Sequence, residues 1–458
     1  MRLSEQSLYV LAEQIRTQKI SPVELVEDVF QQIEEKEQQH NAYIDIQKDR
    51  AIHLAKEAER EISEGKYRGP LHGIPIGIKD NIYFANETTT MGSKIHQHFI
   101  PTEDATVVKK LREAGAVFLG KLNMHEYAWG ATNDNPFYGA CRNPHDTTKI
   151  SGGSSGGSGV AIATNMAIGA LGTDTGGSIR IPAAFCGIFG LKPTHGLVSK
   201  ANCFPLAWSL DHVGPMTKTA IDSALMLDVL AGYDAKDPTS IQCVQPASYA
   251  GEVDISLENL GIGVNESYFF NQVDDEVAKR VREVIQLFED SGATIVEVDV
   301  PALAHVEYAE MITITSEASA IHHDDLIERE EDFGEDVRFL LKLGELPSAV
   351  DYLRAQQIRQ QLDIQFQHMF QQVDVLFTPT IPFVAPSIGS HTATINGEEV
   401  SLLDHIIRFT GPFNLTGLPV ASVPVGFAHD LPVGMQIIGP AFEDKRVLDV
   451  ARLYELLV

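Results

Sequence analysis

Residues 149–184, KISGGSSGGSGVAIATNMAIGALGTDTGGSIRIPAA, set two glycine–serine clusters around an apolar stretch. A run such as GGSSGG brings little to pack with and much backbone freedom to lose on folding. A flexible linker is the ordinary explanation. It fails here, because VAIATNMAIGALG separates the clusters and core-like sequence flanks them on both sides. The glycines must therefore serve close approach or unusual backbone geometry inside a folded body.

The chain can build such a body. Of its 458 residues 44% are hydrophobic and 21% charged, which suits a large core and argues against disorder. The net charge of −28 repels phosphate backbones and anionic lipid, so neither nucleic acid nor a membrane is expected as a direct partner. Cys141, Cys186, Cys203 and Cys243 fit no CxxC spacing, which points to a reducing compartment. MRLSEQSLYVLAEQIRTQKI has no apolar h-region, and no run reaches about 18 apolar residues. A soluble, cytoplasmic protein is expected.

The coarse pattern is α/β. SPVELVEDVFQQIEE starts a helix, with Ser21 as N-cap, Pro22 at the first position and Glu24 closing a capping box. Ile74, Ile76 and Ile78 predict a short buried strand ending near Lys79. A helix (DATVVKKLREAGA) and a strand (VFLGKLN) follow. Beyond the clusters, TAIDSALMLDVLAGYD reads as a helix ending at Gly232. NLGIGVNES, DDEVAKRVREVIQLFEDSGA and TIVEVDVP read as strand, helix and strand, and residues 301–372 as acidic amphipathic helix. VDVLFTPTIP, LPVASVPVG and VGMQIIGP are strands, and EDKRVLDVARLYELL a closing helix. One domain over 1–458 is expected: N-terminal helices (1–65), a core (66–235) and a substrate-side cap or insertion (240–372).

Gly153, Ser155 and Gly157 satisfy the G-x-S-x-G nucleophile elbow, but that motif needs a strand directly before it, and NPHDTTKISGG reads as loop. A phosphate loop fails because Ser158 and Gly159 stand where Lys and Ser/Thr are required. In GTDTGGSIR, Gly176 and Gly177 can turn the N–H groups of Thr175 to Ser178 one way, making an anion nest beside Ser178. A glycine turn with a capping serine explains Ser178 alone equally well. Lys79 ends an apolar strand, where an unpaired ammonium is costly. It could pair with Asp80. Desolvation could instead lower its pKa and make it a base, which suits a Ser–Lys variant of nucleophilic catalysis.

GIPIGIKDNI, SGGSSGGSG and GTDTGGSIRIPAAFCGIFGLKPTHG together resemble the amidase signature family. The likeness extends through FLGKLNMHEYAWG, SLDHVGPMTKTAIDSALML and FTGPFNLTGLPVASVPVG, and is weakest over 240–372. It implies a central twisted mixed β-sheet covered by helices on both faces. It also implies a Ser–cisSer–Lys triad: Ser178 as nucleophile, Ser154 as the bridging serine on a cis peptide, Lys79 as base. The N–H groups of Thr175, Gly176, Gly177 and Ser178 would form the oxyanion hole, with Ser155, Asp174 and Arg180 in support and Arg180 pairing with Asp174. Met124, Trp129 and Gly130 match a pocket wall, and Arg359 a carboxylate-binding position. No metal or other cofactor is implied, and His72, His125 and His195 have no role. A homodimer follows family habit.

Other residues read plainly: HHDD (322–325) as solvated surface and Cys186 as packing. The resemblance implies an amidohydrolase acting alone on a small or medium amide, with esters, anilides and carbamates open. The alternative is the glutaminase (A) component of a tRNA-dependent amidotransferase. That component has a tyrosine-rich segment before its AQ..R motif, where this chain has LPSAVDYLRAQQIR, and an acid before P.NL.GLP, where this chain has Ile407. A catalytically dead binding module is disfavoured because all three triad positions are intact.

Overall fold

The computed structural model describes residues 2–458. Its first long helix obeys its end signals: Ser21 Oγ accepts from Val23 N–H (2.9 Å), Ser21 N–H donates to Glu24 (2.8 Å), and the helix runs Pro22–His40. The apolar face read from the sequence, Leu25, Val26, Val29, Phe30 and Ile33, is buried.

Strands β1 (Tyr43–Ile46), β2 (Pro75–Lys79), β3 (Val117–Leu122), β4 (Gly169–Asp174), β5 (Phe189–Lys192), β6 (His212–Thr217), β7 (Gly261–Val264), β8 (Thr294–Glu297), β9 (Val375–Pro379), β10 (Val420–Ala428) and β11 (Leu431–Ile438) share one sheet. Its order is β1-β3-β2-β4-β6-β5-β10-β11-β9-β7-β8. β2 runs parallel to β3 and β4, while β4, β6, β5, β10 and β11 are successive antiparallel neighbours. Every residue of β2, β3, β4 and β6 is buried, which requires cover on both faces; the edge strands β1 and β8 are partly exposed. The fold is α/β, and one hydrophobic cluster runs from Leu8 to Tyr454.

Three expectations need correction. Residues 240–372 are not a single cap, because β7 pairs with β9 and β8 with β7, so both complete the main sheet. Only the helices Val306–Glu328, Glu335–Gly344 and Ala349–Met369 form a separate layer. The helix expected to reach Gly232 stops at Leu230, where Ala231 turns extended. HHDD is not uniformly solvated: His322 shares the buried stripe of Ala318, Ser319 and Leu326, packed 4.2 Å from the Tyr127 ring, while His323 and Asp324 are exposed.

Candidate active site

Parallel pairing of β2 with β4 brings their C-terminal ends together, Ile78 opposite Leu171. The next residues outward are Lys79 and Thr173–Asp174. Lys79 is fully buried, and its Nζ lies 2.8 Å from Thr173 Oγ1, 2.9 Å from Ser155 Oγ and 2.7 Å from Ser154 Oγ. It does not pair with Asp80, which binds Thr90 and lies 3.4 Å from Lys121. Burial brings the Lys79 pKa down to about 7, against the pull of Asp174 and Asp211.

Hydrogen-bond bookkeeping then limits the lysine. Ser155 Oγ–H donates to Thr173 O, so Ser155 meets Lys79 as an acceptor. Thr173 Oγ1 already accepts from Asn81 and takes a second N–H from Lys79. A neutral amine has two N–H groups and one lone pair. When both N–H groups are so placed, a neutral Lys79 presents its lone pair to the Ser154 hydroxyl, 2.7 Å away.

Backbone contacts hold Ser154 there. The Gly153–Ser154 peptide bond is cis. Ser154 O accepts from His125 N–H (3.1 Å), and Gly153 N–H donates to Ala131 O (2.7 Å). A Cβ on Gly153 would sit 2.9 Å from Gly130 O and Asn133 N, so only glycine fits between those strands of chain. The helix Gly156–Ala163 follows, but no strand precedes it, which removes the nucleophile-elbow reading.

Ser178 lies beyond β4, just before the helix Arg180–Cys186, and its side chain makes no hydrogen bond among the described residues. Its carbonyl accepts from Ser155 N–H (3.2 Å), which ties the two serine clusters together. Asp174 organises the turn: its carboxylate accepts from the N–H groups of Gly177 (2.9 Å) and Ile179 (3.0 Å), from Asn414 (2.8 Å), and from Arg180 Nε and Nη2 (3.0 and 2.9 Å). Burial alone would raise its pKa, but Arg180 and Asn414 hold it well below the ordinary carboxylate range. Arg180 also donates to Thr410 O (2.9 Å), Gln436 (2.8 Å) and Asn414 (2.6 Å), so its guanidinium is fully engaged.

The expected oxyanion hole needs one correction. Gly177 N–H is spent on Asp174, whereas those of Thr175, Gly176 and Ser178 make no hydrogen bond among the described residues. The Asp174 carboxylate sits under the turn, accepting from Ile179 N–H as well, and that takes the third amide of the nest.

The expected substrate residues fall elsewhere. Arg359 donates to Leu415 O, Ser209 Oγ (3.0 Å) and Ser209 O (2.9 Å), so its guanidinium ties the Ala349–Met369 helix to the Pro412–Leu415 helix and the turn at Ser209. Met124 and Trp129 are buried in the core, and Gly130 backs the Gly153 turn. Of their segment, Ala128 lines a cavity of about 150 Å³ with Thr173, Thr175, Phe204, Leu206 and Asp211. Cys186 is buried, its Sγ 3.3 Å from Ser151 O. Sequence reasoning missed Thr173, Asp211 (which accepts from Thr175 Oγ1, 2.6 Å), Asn414 and Thr410. Asn414 and Thr410 lie in the stretch FTGPFNLTGLP, so their motif was visible, though its contact with Asp174 and Gly176 was not.

Comparison with known proteins places the chain in a family. The Amidase family model matches residues 24–448. The glutamyl-tRNA(Gln) amidotransferase A-subunit of Carboxydothermus hydrogenoformans is 38% identical over 479 residues, covering 99% of this chain and 98% of its own. A solved chain bearing on the evolutionary origins of an s-triazine catabolic enzyme superposes with a TM-score of 0.93 at 31% identity, covering 98% of both chains. A bacterial aryl acylamidase of the amidase signature family superposes with a TM-score of 0.89 at 27% identity, covering 99% of this chain and 96% of its own.

Proposed function

The chain belongs to the amidase family and cleaves amides, and we propose that it is a serine amidohydrolase using Ser178, Ser154 and Lys79. The observation that carries this reading is the position of Lys79: fully buried, its pKa brought down to about 7, with Nζ 2.7 Å from Ser154 Oγ. Ser178 Oγ forms a bond to the amide carbon as its proton passes to Ser154, and that of Ser154 passes to Lys79. The oxyanion is held by the free N–H groups of Thr175, Gly176 and Ser178. Collapse breaks the C–N bond, and the proton returns from Lys79 through Ser154 to the leaving amine. Water, deprotonated by the same relay, then cleaves the acyl ester and releases a carboxylic acid.

A second reading, the glutaminase component of a tRNA-dependent amidotransferase, is favoured by the 38% identity over 99% of the chain to a protein of that kind. Ile407 in place of an acid and the engaged Arg359 weigh against it. Assay of the purified chain alone against glutamine, aliphatic amides, anilides and aryl carbamates separates them. Turnover of amides or anilides with glutamine untouched supports the independent enzyme. Glutamine turnover only, or silence until partner proteins are added, supports the amidotransferase reading, in which the chain works as a member of a mixed assembly rather than as a homodimer. The acyl-enzyme mechanism itself fails if Ser178→Ala protein keeps its activity.

A further inference from the structure

Glu310, on the Val306–Glu328 helix, is only 2% exposed, yet neither carboxylate oxygen accepts a hydrogen bond among the described residues. A carboxylate in such a place must find a donor or stay neutral at a cost. The cation that acts on it, Arg180, is spent on Asp174, Thr410, Gln436 and Asn414. Burial accordingly pushes the Glu310 pKa far up.

The surroundings make room for this carboxylate. Gly411 has ordinary helical angles (φ −58, ψ −39), so its backbone does not demand glycine. A Cβ there would instead collide with the Glu310 carboxylate. A Cβ at Gly176, two residues before Ser178, would lie 3.2 Å from Glu310 Oε1 and 3.8 Å from both Ile314 Cδ1 and Ile407 Cγ2. The fold thus delivers a carboxylate from the Val306–Glu328 helix to one side of the Gly176–Gly177 turn.

We propose that Glu310 is a specificity-determining residue that receives a protonated amino group of the substrate beside the Gly176–Gly177 turn, an assignment that rests on Ser178 being the nucleophile. A substrate ammonium supplies the donors and charge that Glu310 lacks. Arg359 is engaged elsewhere, so the class is an amide bearing an amino group without a matching carboxylate contact at that arginine.

The test compares alanine para-nitroanilide with propionyl para-nitroanilide, which differ only by the amino group. The expected result is a kcat/KM preference for the amino compound, reduced at least about tenfold in Glu310→Gln. An equal ratio in wild type and variant overturns the proposal. If Glu310→Gln fails to fold by circular dichroism, Gly411→Ala, which crowds the carboxylate, must reduce the preference; an unchanged preference again overturns it. Should wild type hydrolyse neither compound, their affinities for Ser178→Ala protein are compared by calorimetry, and equal affinities overturn the proposal. Retained activity in Ser178→Ala protein, by contrast, sinks the nucleophile assignment and leaves this ratio to be read on its own.

Discussion

At the scale of single residues, burial governs the chemistry. Lys79 has an ordinary pKa of 10.5 and a folded one of about 7, because burial penalises its ammonium. Two consequences follow, of opposite kind. For activity, the base must be neutral, so kcat/KM should climb with pH through about 7 and then level; a profile flat across that range removes Lys79 as the base. For stability, the unfolded chain holds a proton between pH 7 and 10.5 that the folded chain has released. Stability therefore rises with pH across that window and is lost as pH falls toward 7. Lys79→Met should remove this slope and leave the protein as stable as wild type or more so below pH 7, while abolishing hydrolysis. Denaturant titrations of both proteins across the window measure the difference. Ser178→Ala should lower kcat by about 10³-fold or more without moving Tm.

At the scale of elements, one carboxylate organises the turn that carries Ser178. Asp174 ends β4, accepts from the Gly177 and Ile179 N–H groups, and balances a fully buried guanidinium. Asp174→Asn leaves that guanidinium unpaired and should destabilise the fold by about 3–5 kcal/mol in urea denaturation. Loss of activity with full stability would mean the pair is catalytic rather than architectural. Arg359→Met should likewise lower stability, by about 1–3 kcal/mol, with KM for carboxylate-bearing amides unchanged. A raised KM at unchanged stability would return Arg359 to the substrate. Elements were read well wherever local chemistry decides them. The capping box of Ser21 and Glu24 acts within three residues, and the β2 run of isoleucines is apolar whatever surrounds it. Gly232 misled because a helix can stop where its next residue packs better extended, and packing is not local.

At the scale of the whole molecule, the sheet order decides what is separable. β7 and β8 sit at one edge beside β9, so deleting residues 240–372 strips two strands and leaves β9 bare. That deletion should give aggregated or unfolded protein by size exclusion and circular dichroism; a monomeric, active remainder would restore the idea of a detachable cap. The sequence by itself was enough for the α/β class and for one large body, and it put Lys79 and Ser178 forward as candidates, with Ser154 added by the family resemblance. Those rest on local periodicity, on glycine's freedom, and on motifs whose spacing is written in the chain. Only the tertiary structure decided that Gly177 N–H belongs to Asp174, that Arg359 binds Ser209 and Leu415, that His322 is buried, and that Glu310 reaches the Gly176–Gly177 turn. Each joins residues on different elements, Glu310 and Gly176 being 134 apart in sequence (310 − 176). What such a side chain pairs with depends on which donors the folded chain has left free, and no local pattern records that.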